Sequence, residues 1–280
     1  MMEKSYRVFR DMYHCDLAVK HMEEVKNFIQ CYHSFENIPE VKEYIQELRN
    51  LLTVKEIKGG LYVRVGNDRD GGYVMADDFD NVNIAYSFGI CDDVSWDLQI
   101  VQKKDCLVYM YDHTIEGLPE QNKNFHWEKM GICGEYSNDP KLKPLDEIIY
   151  RNGHTKERNM ILKMDVEGAE WEVFSSISEE VLNQFDQIVA EFHGLLDFNK
   201  REIILKSLKS INRNFQLVHI HGNNGDFFYP YNGFVVPNVI EVTYVNKKKR
   251  DFIKSEKFFP TALDRPNSYI NPEIYMGFWN

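Results

Sequence analysis

From Ile84 to Val245, runs that read as strands alternate with runs that read as helices, and this alternation narrows the folds open to the chain more than any other feature. Strand-like stretches fall at Ile84 to Phe88, Leu107 to Tyr111, Phe125 to Lys129, Met160 to Met164, Gln187 to Phe192, Gln216 to Ile220 and Val239 to Val245. Helix-like stretches fall near Ser95 to Lys103, Leu145 to Arg151, Ala169 to Ser176 and Lys200 to Ile211. Strands joined through helices need crossover connections, so the expected fold is α/β, with a doubly wound, mostly parallel seven-stranded sheet covered on both faces. Ligands of such sheets bind beyond the carboxyl ends of the strands, where the strand order reverses. Candidates for chemistry are therefore sought at those ends.

Outside this core the pattern changes. Between Leu17 and Leu52 the apolar residues Val25, Phe28, Ile29 and Tyr32, then Val41, Tyr44, Ile45 and Leu48, recur at helical spacing. Two amphipathic helices separated near Pro39 are predicted, forming an extension over 1–55 that would cap the core or join two copies as a homodimer. The central domain is placed at 56–250, and 251–280 is a strap rich in Phe, Tyr and Trp whose Pro260, Pro266 and Pro272 forbid a long helix. Leu61 to Val65 and Tyr73 to Met75 flank Asp70-Gly71-Gly72. This segment reads as a hairpin, or as a loop whose glycines let backbone approach a ligand.

A formal net charge of -11 works against binding nucleic acid, whose affinity comes from many Lys and Arg contacts with phosphate. The five cysteines are odd in number and lack C-x-x-C spacing, as expected of free thiols in a reducing compartment. Met1 to Arg10 has no apolar core of a signal peptide, and no stretch approaches the ~20 apolar residues of a membrane span. A cytoplasmic protein without a membrane span is expected.

At the end of the first strand stands Ser87-Phe88-Gly89-Ile90-Cys91-Asp92-Asp93-Val94-Ser95, where Gly89 permits a tight turn against a ligand and Asp or Ser caps the following helix. Asp112 ends the next strand, placed to accept from both ribose hydroxyls of a nucleoside. A dinucleotide enzyme shares such an acid but normally carries G-x-G-x-x-G, and Asp92 and Asp93 at the helix entrance would repel a pyrophosphate while tolerating the cationic sulfonium of S-adenosylmethionine (SAM). The expected SAM contacts are Gly72, Tyr73, Ser87, Gly89, Ser95, Asp112, His113, Gly131, Ile132 and Asp165.

The run Ile161 to Glu172 packs strand, turn and helix into twelve residues. Asp165 ends the strand facing the ligand crevice, while Glu170 and Glu172 suit the first helical turn, where the helix dipole favours negative charge. Period two sends Glu191 and His193 to one face, and likewise His219 and His221. Asp165, Glu191 and His221 have the chemistry of a divalent-metal site. Alternatively, His193 or His221 is a general base working with Asp165, or the histidines are structural.

Lys163-Met164-Asp165-Val166-Glu167-Gly168-Ala169-Glu170, with Ser87-Phe88-Gly89 and Asp70-Gly71-Gly72-Tyr73, resembles the FkbM-like SAM-dependent methyltransferases over about Leu61 to Val245. The resemblance implies a Rossmann-like class I methyltransferase sheet with its last strand antiparallel, SAM at the Gly89 turn, Asp112 on the ribose, and O-methylation of a small polar acceptor, a sugar or nucleotide-linked sugar. It does not itself imply a metal. A NAD-linked oxidoreductase and a metal-dependent hydrolase built on the Asp, Glu and His cluster stay open as alternatives.

Overall fold

The computed structural model describes residues 38–280 apart from 136, 232 and 233. The first predicted helix, Cys15 and Cys31 lie outside the described residues. Seven strands form the central sheet: β1 (Ile84–Phe88), β2 (Leu107–Tyr111), β3 (Phe125–Glu128), β4 (Met160–Met164), β5 (Phe185–Phe192), β6 (Phe215–Gly222) and β7 (Ile240–Asn246). Their order is β6-β7-β5-β4-β1-β2-β3. Neighbours from β5 through β3 pair in parallel, whereas β7 runs antiparallel to both β5 and β6. The sheet is therefore mixed: the doubly wound parallel pattern ends at β7, the last strand, which runs antiparallel as the family resemblance implies. A chain that leaves β6 and returns through the short pair Phe228–Tyr231 and Phe234–Pro237 has no helix to carry it back, so β7 enters the sheet reversed.

Period-two alternation divides the core. On one face Tyr86, Phe88, Leu162, Met164, Ile188 and Phe192 meet the helices α1 (Pro39–Leu51), α3 (Leu145–Arg151), α4 (Glu170–Ser176) and α5 (Arg201–Asn214). On the other, Ala85, Val108, Met110, Ile161 and Val189 meet α2 (Ser95–Lys104) and the hairpin Tyr62–Gly66 with Gly72–Ala76. Strands β4 and β5 are buried along their whole length, as expected where helix or hairpin covers both faces.

Helix α1 starts on Pro39 and turns Val41, Tyr44, Ile45 and Leu48 into this same core. The Tyr44 hydroxyl donates to the Leu195 carbonyl at 2.7 Å. That apolar stripe is consumed within the chain and is not available to a second copy, which corrects the dimer expectation for this helix. The strap also packs back: Phe252–Lys254 pairs with Lys55–Ile57, and Phe259 and Trp279 are fully buried while Tyr269 and Tyr275 stay exposed. Among the described residues no helix is long and apolar enough to cross a membrane.

Candidate functional site

A cavity of about 670 Å³ opens past the carboxyl ends of β1, β2, β4 and β5, where the strand order reverses between β1 and β4. It lies in the size range of small-molecule sites, ~300–1,000 Å³. Of the expected contacts, Gly89, Asp112, His113, Gly131, Ile132 and Asp165 line it, and Glu191 forms part of its wall.

Gly89 holds φ +78, and a Cβ there would stand 1.5 Å from the Asp165 carbonyl oxygen. Its N–H donates to the Tyr111 carbonyl, and the Asp165 N–H donates to the Phe88 carbonyl. The two turns thus lie directly against each other, which only a residue without a side chain allows. Beneath them, buried Lys163 donates to the Gly89 carbonyl at 2.7 Å and stands 4.0 Å from Asp165 Oδ2. That same carboxylate oxygen accepts the Tyr73 hydroxyl at 3.2 Å.

Asp112 accepts the Ile90 and Cys91 N–H groups on Oδ2 at 2.9 and 3.0 Å. Burial opposes its charge, but these bonds and those from Thr114 prevail and hold its pKa at about 2, so the carboxylate is charged across the physiological range. His113 is exposed, and its Nδ1 would lie 2.5 Å from a Cβ on Gly131, so the ring rests on bare backbone.

Four expected cofactor residues do not line the cavity. Gly72 turns toward the Asn67 carbonyl and the Arg64 guanidinium, leaving Gly71 at the wall. Tyr73 is buried and reaches the site only through Asp165. Ser87 is fully buried within β1. The hydroxyl of Ser95 donates to Asp93 Oδ2 at 2.9 Å, and its N–H to Asp93 Oδ1 at 2.8 Å. Asp93 thereby closes the turn that leads into α2 and is also a wall residue.

The histidines part company. His193 Nδ1 lies 3.2 Å from Glu170 Oε1 and its Nε2 lies 3.5 Å from Glu191 Oε2. Burial disfavours its charge, but Glu170, Glu191 and Asp165 outweigh that and raise its pKa to about 9. The ring is therefore a cation near neutral pH and not the free base that was expected. Glu170 in turn accepts the Val166 and Gly168 N–H groups, which makes it the structural cap of the Asp165 turn. Glu191 is pushed well above the usual carboxylate range by burial and by the charges of Asp165 and Glu241.

His221 is 1% exposed and absent from the cavity wall. Its Nδ1 pairs with Glu241 at 2.9 Å and its Nε2 with Glu273 at 3.2 Å. With both nitrogens occupied it is neither a base nor a metal ligand, so the triad of Asp165, Glu191 and His221 is not assembled. Among the described residues, the acid and histidine groups close enough for a shared cation are Asp165 with Glu170 and His193, and Asp70 with Glu191 and Glu241. In the first group Glu170 is already committed to two backbone donors and His193 Nδ1 to Glu170, which does not fit an open coordination site. His219 is likewise structural, bonded to Asp264 at 2.7 Å. Sequence reading missed Asp264 and Glu273, as well as Asn267, which reaches the cavity wall from the strap.

A sheet that reverses its order beneath such a cavity, with a glycine turn on one strand and an acid ending the next, defines an α/β protein whose candidate ligand site lies at the strand-order reversal. The family model of the methyltransferase FkbM domain matches residues 135–244, and over that segment the chain is similar to methyltransferases of that family. The matched segment holds Asp165, Glu191 and His193, while Gly89 and Asp112 lie before it. No curated protein matches the chain. Among solved structures, a Streptococcus thermophilus protein described as a candidate hemolysin is 12% identical, with a TM-score of 0.33, each chain covered over 59% of its length. The chain thus spans less than two thirds of that protein, and so low a score carries no argument.

Proposed function

We propose that the protein is a SAM-dependent O-methyltransferase acting on a hydroxyl of a small polyhydroxy acceptor such as a sugar. The observation that carries this reading is the charge of the cavity. Seven carboxylates line it, Asp70, Asp92, Asp93, Asp112, Asp165, Glu167 and Glu191, against Arg69 and Lys163. A pyrophosphate would be repelled by such a wall, and a sulfonium accommodated. This argues against a dinucleotide oxidoreductase, and the unassembled triad argues against a metal-dependent hydrolase.

On this reading Gly89 provides the close backbone approach, Asp112 receives the ribose diol, and His113 with Gly131 and Ile132 flanks the base. When bound, SAM supplies an electrophilic methyl group, which the acceptor oxygen takes by in-line displacement. Glu191 stands on the wall with a pKa raised by burial and by Asp165 and Glu241, and in its ionised form it is the group to accept the hydroxyl proton. His193, 3.5 Å from Glu191, opposes the rise in its pKa, and Tyr73 with Lys163 would hold Asp165 toward the bound cofactor. Residues 56–250 would then form the transfer domain, 1–55 a helical extension and 251–280 a strap closing the acceptor side. Cys91, Cys106 and Cys133 are unpaired, in keeping with a cytoplasmic setting.

Calorimetric titration with S-adenosylhomocysteine and with NAD tests the cofactor. Tight binding of the first and none of the second is expected, and the reverse would overturn the reading. Mass spectrometry after incubation with methyl-labelled SAM and a panel of sugars then tests the transfer.

A further inference from the structure

The acceptor side of the cavity has a composition of its own. The loop 67–71 and the strap meet there: Asn267 Nδ2 donates to Asp70 Oδ1 at 3.0 Å and to Glu241 Oε1 at 2.6 Å. Asp70, Asn267 and Glu191 line the wall, and Glu241 stands close behind Asp70 and Glu191. The Oδ1 of Asn267 is shut from solvent and has no hydrogen-bond partner among the described residues, so a modest turn of the side chain would be needed to offer it to a bound donor. Two residues on, the Tyr269 ring is 69% exposed, with the Arg69 guanidinium 5.4 Å from its centre. Tyr269 does not itself line the cavity but meets it through Arg69, a wall residue, and offers a flat apolar surface of the kind that suits a sugar ring.

The charges at this end do not cancel. Glu241 is paired with His221, Glu170 and Glu191 share the ring of His193, and Asn223 donates to Glu191 at 2.6 Å, which leaves Asp70 as the acid without a cationic partner among the described residues. Arg69 is exposed at the rim over Tyr269, and Lys163 is committed beneath Gly89. Asp70 accepts an amide N–H and has no cation within ion-pair distance among the described residues. A diphosphate would face this wall with like charge, whereas an ammonium would meet carboxylate and amide oxygens.

Resting on the methyl-transfer reading, we propose that the acceptor is an amine-bearing polyol of the amino-sugar class rather than a nucleotide-linked sugar. Its amino group lies among Asp70, Glu191 and Asn267, and its ring lies against Tyr269. Asp70 is then the residue that sets the preference for the amine, while Tyr269 contributes to sugar binding whether or not an amine is present.

The test uses the full chain saturated with S-adenosylhomocysteine and three matched probes, glucosamine, glucose and glucose 6-phosphate, with affinities read by ligand-observed NMR. Glucosamine is expected to bind roughly tenfold or more tightly than glucose, the phosphate ester to bind more weakly than either, and 0.5 M salt to narrow the difference. Asp70→Asn should remove most of the amine advantage, and Tyr269→Ala should weaken glucosamine and glucose alike; thermal unfolding of each variant separates lost binding from lost fold. Equal binding of glucose and glucosamine, failure of glucosamine to bind, tighter binding of glucose 6-phosphate, or an amine preference that survives Asp70→Asn each overturns the proposal. Failure of S-adenosylhomocysteine to bind overturns the cofactor reading, and this proposal with it.

Discussion

Thr114 donates twice to a single oxygen of Asp112, through its N–H at 2.7 Å and its hydroxyl at 2.6 Å. With Ile90 and Cys91 on the other oxygen, four donors occupy about the four acceptor sites a carboxylate has. A ribose diol therefore finds Asp112 already engaged, and the bond most readily released is that of the Thr114 hydroxyl, an exposed rotor. Thr114→Val keeps the backbone donor and removes the competitor. It should tighten S-adenosylhomocysteine binding roughly two- to tenfold, the size of one charge-assisted hydrogen bond, as read by calorimetry. A tenfold loss instead would show that the hydroxyl grips the ligand itself.

Glu191 and His193 assign the proton differently from a histidine base. Turnover should fall as pH drops through the raised pKa of Glu191, placing the acid limb above the ordinary carboxylate value of ~4.3. Glu191→Gln should cut turnover ~100-fold or more while leaving S-adenosylhomocysteine affinity within about threefold. His193→Gln removes the cation that lowers the pKa of Glu191, so the acid limb should move to higher pH. Rate profiles on the acceptor found by mass spectrometry check both, and an acid limb unmoved by His193→Gln would remove Glu191 from the role.

Much of this arrangement could be read from the chain order. Strands β1, β2 and β4 fall on the residues predicted from their mainly apolar runs, because a strand largely covered on both faces writes itself as such a run. Gly89, Asp112, Asp165 and Glu191 were legible for the same reason, each being a polar or glycine residue where an apolar strand stops. The partners of His219 and His221 were not. Asp264 lies 45 residues from His219 and Glu273 lies 52 from His221. Period two tells which face a side chain takes but not what later chain packs there. The four residues that failed to reach the cavity, Gly72, Tyr73, Ser87 and Ser95, sit one or two places from residues that do, a distinction that depends on turn geometry.

The pairing of His221 with Glu241 and Glu273 ties the strap to the sheet and makes that tie sensitive to base. Burial disfavours the charged ring, but the two carboxylates and nearby Asp264 raise its pKa to about 10 from an ordinary 6.5. A group raised in the folded state stabilises most below its unfolded pKa, and that contribution drains away as pH rises toward 10. The loss should be on the order of a few kcal/mol between about pH 7 and 10, seen in urea titrations. His221→Asn should be less stable at pH 7 and should lack this part of the slope. Proteolytic cleavage between Thr261 and Glu273 should quicken over the same range, and a strap equally resistant at pH 10 would show that His221 does not hold it.

Asp97 presents the opposite sign, on the same side of the sheet as the glycine turn. It is fully buried in the first turn of α2, and desolvation, opposed chiefly by Lys163, raises its pKa to about 6. Between the unfolded value of ~3.9 and this one the folded chain holds the extra proton, so stability declines as pH climbs through that interval. Asp97→Asn removes the burden of a buried charge. Relative to the parent it should gain on the order of 2–3 kcal/mol by about pH 7 while gaining nothing near pH 4. Lys163 would keep the Gly89 carbonyl and Asp165 as partners, so the cavity should survive the change and S-adenosylhomocysteine affinity should shift by less than about threefold. Paired urea titrations at the two pH values decide the matter. A variant that loses more stability at pH 7 than at pH 4 would mean that Asp97 and Lys163 form a net stabilising ion pair, with the carboxylate ionised in the folded protein.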